Sequence, residues 1–112
     1  MDFGDIYLVE IPGSGGHEQQ GVRPAIVVQT TEHIEKVPTI LVVPFTTQIK
    51  AAHFPFTFVI EPDSSNNLAS KSVALVFQLR AIDKKRLKNK VGNLSSNHVQ
   101  TLKQYLGKIL EL

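Results

Sequence analysis

Apolar residues recur at every second position through much of this chain, the period of a β-strand with one buried face, and change to three- and four-residue steps only near the C-terminus. Residues 5–11, Asp-Ile-Tyr-Leu-Val-Glu-Ile, predict a first strand, and the short, fully apolar run 25–29 a second. Thr39 to Phe45 is apolar after its first residue, which predicts a central third strand. Phe54, Phe56, Phe58 and Ile60 alternate with Pro55, Thr57 and Val59, so a fourth strand is expected with its aromatic face in the core. Pro55 cannot donate a ladder hydrogen bond and belongs at that strand's beginning or on an edge. Residues 61–71, rich in Pro, Asp, Ser and Asn, read as a turn region. Beyond them Val73, Leu75, Phe77 and Leu79 alternate with Ser72, Ala74, Val76, Gln78 and Arg80 as a fifth strand. The basic stretch from Asp83 can form a helical turn, and Val91 to Leu94 a short strand. Ser95 or Ser96 can cap a closing helix whose Val99, Leu102, Leu106, Ile109 and Leu110 share one stripe. Gly107 weakens that helix by roughly 1 kcal/mol relative to Ala, which burial of the stripe should outweigh.

Five or six short strands and one terminal helix describe a mainly β fold, an SH3-like small barrel of antiparallel strands with a C-terminal α-helix. With 112 residues, 42% of them hydrophobic, a single domain over residues 1–112 is expected. In a simple meander, strand two begins, strand three ends, strand four begins and strand five ends at one rim. That rim gathers Arg23, Thr46, Thr47, Gln48, His53, Gln78 and Arg80. It also receives the loop Gly13 to Gly21, whose four glycines let it adapt to a ligand and whose His17, Glu18, Gln19 and Gln20 can bond one. Taken singly, each feature has a plainer reading: a flexible connection, an extended residue before a proline at Arg23, a β-former at a strand end at Thr46.

Composition narrows the chemistry. Cysteine is absent, which removes disulfides, thiolate metal sites and cysteine nucleophiles. His17, His33, His53 and His98 are scattered without metal-ligand spacing, so no metal and no cofactor is expected. No apolar run approaches the roughly 20 residues of a membrane helix, and no basic opening segment leads into an apolar stretch; a cytoplasmic protein without a membrane partner is expected. Net charge is only +2, yet Lys84, Lys85, Arg86, Lys88 and Lys90 bunch together, which suits a polyanion or, more plainly, a solvated face.

An arginine fork matches phosphate bidentately and stays charged at any biological pH, so Arg23 is suited to hold an anion. A threonine hydroxyl is a poor base and serves better as a hydrogen-bonding group at an attacked phosphate. One reaction fits a cation and hydroxyls without a strong base or protein nucleophile: RNA cleavage in which the substrate's own 2′-hydroxyl attacks the adjacent phosphate. Single-stranded RNA would lie in a groove and be read by its base edges and by stacking.

Read in order, Gly4-Asp5-Ile6-Tyr7, Gly21-Val22-Arg23-Pro24, Thr46-Thr47-Gln48, Ser72-Val73-Ala74-Leu75 and Gln78-Leu79-Arg80-Ala81-Ile82-Asp83-Lys84-Lys85-Arg86-Leu87, followed by the terminal helix, resemble the MazF/PemK (Kid) family of type II toxins almost end to end. The resemblance implies a metal-independent, sequence-selective endoribonuclease that leaves 2′,3′-cyclic phosphate and 5′-hydroxyl ends. It sets Arg23 on the family's catalytic arginine and Thr46 on its catalytic Ser/Thr. It further implies a homodimer that binds RNA in a groove along its interface and is silenced by a cognate antitoxin whose disordered tail fills that groove. Lys71 and Phe77 stand where relatives often carry acidic residues, which bears on the recognised sequence more than on the chemistry. Two other readings share this fold. A gyrase inhibitor of the CcdB type relies on a Trp near its C-terminus, whereas this chain has no Trp and ends Leu110-Glu111-Leu112. A non-catalytic SH3-like RNA- or protein-binding module would have no need of both Arg23 and Thr46.

Overall fold

The computed structural model describes residues 1–13, 16 and 21–112. Its strands are β1 (Asp5–Ile11), β2 (Gly21–Val27), β3 (Thr39–Thr46), β4 (Thr57–Ile60), β5 (Ser72–Leu75), β6 (Arg80–Asp83) and β7 (Leu87–Asn93), followed by the helix α1 (Ser96–Ile109). They form one antiparallel sheet in the order β4-β5-β3-β2-β1-β7, with β6 also paired to β3. The sheet curls like a small barrel without closing, and the expected mainly β fold with one C-terminal helix is what the chain adopts.

The two most apolar runs, β2 and β3, sit mid-sheet because both of their faces are buried. Ile26, Val28, Val43 and Phe45 enter one core cluster with Ile6, Ile60 and the helix residue Leu102. The alternate residues Ala25, Val27, Ile40 and Val42 enter a second cluster with Val9, Ile11 and Ile82. Burial stabilises each such aliphatic side chain by roughly 1.5–3 kcal/mol, so neither strand tolerates a polar residue on either face until its rim.

Four differences from the expected elements matter. First, β2 starts at Gly21 rather than at residue 25, because Gly21 to Pro24 pair with Ile11 to Leu8 of the periodic β1. Second, the meander fails: β4 lies outside β5 and never pairs with β3. Third, the predicted fifth strand is two strands. The C-terminal end of β3 pairs with β5 (Phe45↔Ala74, Thr46↔Val73) and its N-terminal half with β6 (Thr39↔Asp83 through Val42↔Arg80). Val76–Gln78 loop out between these two ladders as a 3-10 turn. Fourth, β4 is only four residues long. Phe56 takes a left-handed φ of 58°, which breaks the alternation, so Ile60 is fully buried, Phe56 and Phe58 are half-buried, and Phe54 is 49% exposed rather than core.

Lys84–Arg86 form the expected turn, its start capped by Asp83 Oδ1 accepting from Lys85 N at 2.8 Å, and β7 is longer than predicted. Ser95 caps α1, its Oγ accepting from His98 N at 3.3 Å. Leu102 is fully buried with Val99, Tyr105 and Leu106 packed around the same core, while Leu110 lies past the last turn and is exposed. The stretch 61–71 is ordered by Asn66, whose Oδ1 accepts from Asp63 N and Leu68 N and whose Nδ2 donates to Glu61 O. It is tied to β7 by Asn93 N donating to Ser65 O and Asn67 Nδ2 to Val91 O. Gly92 permits that approach, since a Cβ there would stand 2.3 Å from Ser65 O. Among the described residues no helix is long and apolar enough to cross a membrane.

Candidate active site

Both central strands change character at one rim. The β2–β3 ladder runs from Val27↔Val42 to Ala25↔Pro44, and Arg23 and Thr46 each lie two residues beyond its last pair, at the same end. Pro24 and Pro44 have no N–H to donate at these last positions, so the rim lacks rungs that the strand interior has. There a cleft of about 320 Å³ opens, lined by Val22, Arg23 and Pro24 from β2, by Phe45, Thr46 and Thr47 from the end of β3, and by Leu68, Ala69, Ser70 and Ser72. The ordered 61–71 stretch thus supplies a wall, and Ser72 Oγ donates to Ser70 O at 2.9 Å within it.

Thr46 is 4% exposed, and its Oγ1 accepts from Gln48 N at 3.1 Å. That bond occupies a lone pair and fixes the hydroxyl where the chain turns, leaving its O–H to donate. Arg23 is half-buried on the same face of β2 as Ala25 and Val27, at the end of the second apolar row. A guanidinium and a hydroxyl at the edge of a low-dielectric core can bind a tetrahedral anion by charge-assisted hydrogen bonds.

The other predicted site residues divide. Thr47 is exposed on the rim of this cleft. Gln48 and Gln78 line a second cleft of about 400 Å³, continuous with the first through Thr46, which lines both. Arg80 is not brought to Thr46. It pairs with Val42, four residues back along β3, about 13 Å at the usual rise of a strand. There it shares a shallow depression with Gln78, and its Nη1 is buried without a hydrogen-bond partner among the described residues. His53 is exposed and lines neither cleft; its Nδ1 bonds Lys50 O and its ring stacks on Phe54 with centroids 4.6 Å apart. His17, Glu18, Gln19 and Gln20 lie outside the described residues.

Leu68, Ala69 and Ser70 are not expected at the site because 61–71 reads as a plain turn, and Ser72 is not because it reads only as the start of the fifth strand. The Asp63/Asn66 pairing, in which each side chain caps backbone N–H groups near the other, was the available signal of an ordered loop. The basic stretch is largely spent on internal contacts: Lys84 Nζ donates to Ile34 O, Arg86 pairs with Glu10 at 3.1 Å and Lys90 with the nearly buried Asp5 at 3.4 Å. Lys85 and Lys88 have no acidic partner among the described residues. The plainer reading of that cluster fits better than a dedicated polyanion surface.

Residues 2–110 match the protein family described as PemK-like, MazF-like toxin of type II toxin-antitoxin systems. The endoribonuclease MazF of Staphylococcus saprophyticus is 36% identical over 100 residues, covering 89% of this chain and 82% of that protein. Among solved structures, MazF of Deinococcus radiodurans is similar at a TM-score of 0.82 and 23% identity, over 100% of this chain and 97% of that one. A MazE-MazF structure from the same organism is similar at a TM-score of 0.74 and 21% identity, over 100% of this chain and 96% of that one. At such identities the solved structures speak for the fold.

Proposed function

The chain belongs to the family of PemK-like, MazF-like toxins of type II toxin-antitoxin systems, and we propose that it is an endoribonuclease cutting single-stranded RNA with the substrate's own 2′-hydroxyl as nucleophile. The observation that supports this reading is the one cleft that Arg23 and Thr46 both line, two residues 23 positions apart that lie just beyond the last paired residues of the antiparallel strands β2 and β3. In the reaction the O2′–P bond forms as the P–O5′ bond breaks. The 2′-hydroxyl gives up its proton and the leaving 5′-oxygen acquires one, so the products are a 2′,3′-cyclic phosphate and a 5′-hydroxyl end. Arg23 is the catalytic cation that neutralises charge growing on the phosphorane oxygens, and the fixed Thr46 hydroxyl donates to one of them. Preorganised donors of this kind are worth about 3–4 kcal/mol each, because they need no reorientation as charge develops. No metal ion is required by this scheme. Thr47, Gln48 and Gln78, next to the cleft, contact the flanking nucleotides.

The same reading gives the protein a homodimeric state and a cognate antitoxin whose unstructured tail occupies the RNA groove, with cytoplasmic mRNA as the substrate. Membership of a family of toxins of type II toxin-antitoxin systems supports the antitoxin partner. The test is incubation of the purified protein with mixed-sequence RNA in EDTA, followed by mapping of the ends. Cleavage that survives chelation, leaves cyclic phosphate and disappears in Arg23→Ala is expected; intact RNA refutes the reading. Replacing the ribose by deoxyribose at the cut position should abolish turnover while binding persists, and equal cutting of both would refute the 2′-hydroxyl attack.

A further inference from the structure

Arg80 is a cation that the cleavage chemistry above leaves unused. It is half-buried, and its Nη1 is enclosed without a hydrogen-bond partner among the described residues. None of the ion pairs among those residues includes it. The acid on its own strand, Asp83, stands three residues on, belongs to the opposite face of β6 and caps Lys85 N. A buried donor left unpaired is costly to a fold, the more so when it is charged, and an anion brought to the accessible edge of the guanidinium offsets that cost.

The surroundings of Arg80 identify the anion. Arg80 is paired with Val42, and residues directly opposite in an antiparallel pair share a face, so Arg80 belongs to the same face of the sheet as Thr46, four residues further along β3. Arg23 ends the row of Val27 and Ala25 on that face too. The depression that Arg80 lines, about 360 Å³, shares Gln78 with the cleft of about 400 Å³, and that cleft shares Thr46 with the cleft of Arg23, so the three hollows are linked end to end. From Thr46 to Arg80 is about 13 Å along β3 and one strand spacing across. One phosphate cannot touch both residues, yet the span lies well within the roughly 4–16 nucleotides that a small β-barrel fold contacts. A carboxylate from a protein partner fits the same planar fork, but only a strand already anchored by a phosphate between Arg23 and Thr46 is led to it along the linked hollows.

We infer that Arg80 holds a second backbone phosphate of the bound RNA, remote from the scissile one, and so fixes the direction in which the strand crosses the sheet. Arg80 is then a binding residue, not a catalytic one. The inference rests on the nuclease reading. Its test uses a short oligoribonucleotide taken from a site mapped on mixed-sequence RNA, with deoxyribose at the cut position to keep it intact and a neutral methylphosphonate placed singly at each other link. Anisotropy of the labelled strand reads its binding to the full-length protein. One substitution away from the cut should weaken binding to the wild type by about 10- to 100-fold, the worth of a charge-assisted contact. Arg80→Met keeps the apolar stem and loses the charge; it should bind the unsubstituted strand more weakly by a similar factor and be indifferent to that one methylphosphonate while still responding to others. Its log–log salt slope should be shallower by about 0.7, and Arg80→Lys should keep the slope. On cleavable RNA, Arg80→Met should raise KM and leave kcat near wild type. Its unfolding midpoint should not fall, since an unpaired buried donor is removed.

An Arg80→Met protein with wild-type affinity and salt slope overturns the second phosphate site and leaves the nuclease reading intact. So does a methylphosphonate scan of the wild type with no sensitive link away from the cut, or one whose pattern is unchanged in Arg80→Met. A variant that becomes monomeric by mass, and regains full RNA affinity once concentration restores the dimer, also overturns it, Arg80 then pairing with an acid of a second copy. A wild-type protein that leaves all RNA intact overturns the nuclease reading, and the site with it.

Discussion

Asn66→Ala should destabilise the protein by about 2–4 kcal/mol, a sizeable part of the 5–15 kcal/mol typical of a domain. Asn66 is 1% exposed. Its carboxamide joins three backbone groups, Asp63 N at 3.0 Å, Leu68 N at 3.0 Å and Glu61 O at 2.9 Å. Truncation orphans all three, and a buried unpaired group costs about 1–3 kcal/mol. The bond to Leu68 N is buried, so its loss costs about 1–2 kcal/mol. The other two groups are partly buried and can reach water after a small opening, so each sits near the lower end. Urea unfolding followed by circular dichroism measures the sum: with an m-value of about 2 kcal/mol/M, a 3 kcal/mol loss lowers the midpoint by about 1.5 M. Lys71→Ala on the same stretch is the control. It removes only an exposed ion pair with Glu61 at 3.6 Å, and such pairs contribute about 0–1 kcal/mol. Because Leu68, Ala69 and Ser70 wall the Arg23 cleft, RNA cleavage by Asn66→Ala should fall by more than the loss of folded protein accounts for. A midpoint shift no larger than that of Lys71→Ala would refute the idea that this network holds the wall.

Three further outcomes are expected. Thr46→Val removes the acceptor for Gln48 N and the donor facing the cleft at constant volume; single-turnover cleavage should slow by about 10²–10³-fold, while Thr46→Ser stays within about tenfold of wild type. Gly92→Ala forces a Cβ to within 2.3 Å of Ser65 O and 2.7 Å of Asn66 O, both backbone atoms, and should cost about 1–3 kcal/mol in urea unfolding as the loop and β7 are pushed apart. Ser95→Ala strips the side-chain cap from His98 N and should cost about 1 kcal/mol by the same measurement, with Ser95→Asp restoring most of it.

Much of the frame was legible because it depends on local period. The alternation in residues 5–11, the unbroken apolar run of β3 and the three- and four-residue steps after Ser95 each match their observed element closely. The meeting of Arg23 with Thr46 needs one further assumption, that two central apolar runs pair antiparallel, and β2 and β3 do. The assumption that failed was the meander. Sequence neighbours often pair, yet β3 takes β5 and β6 on one side, which displaces β4, moves Arg80 away from Thr46 and brings Ser72 in its place. Phe54 misled for a different reason: its spacing from Ile60 is right for a shared face, but the left-handed turn at Phe56 cancels the phase.

By itself, then, the sequence determined the strand-rich class, the buried identity of the central strands, the capped terminal helix and the two polar residues that end the apolar rows. These follow from side-chain period and from the cost of burying polar groups, which each segment carries wherever it is placed. Only the tertiary structure decided which strand flanks β3, that residues 72–83 make two strands around a 3-10 turn, that Asn66 builds a wall from an apparent loop, and that two aromatic rings face water beside the cleft. Those outcomes are settled by competition between distant segments for the same hydrogen-bonding edge and the same core volume, and no local window of residues contains both competitors.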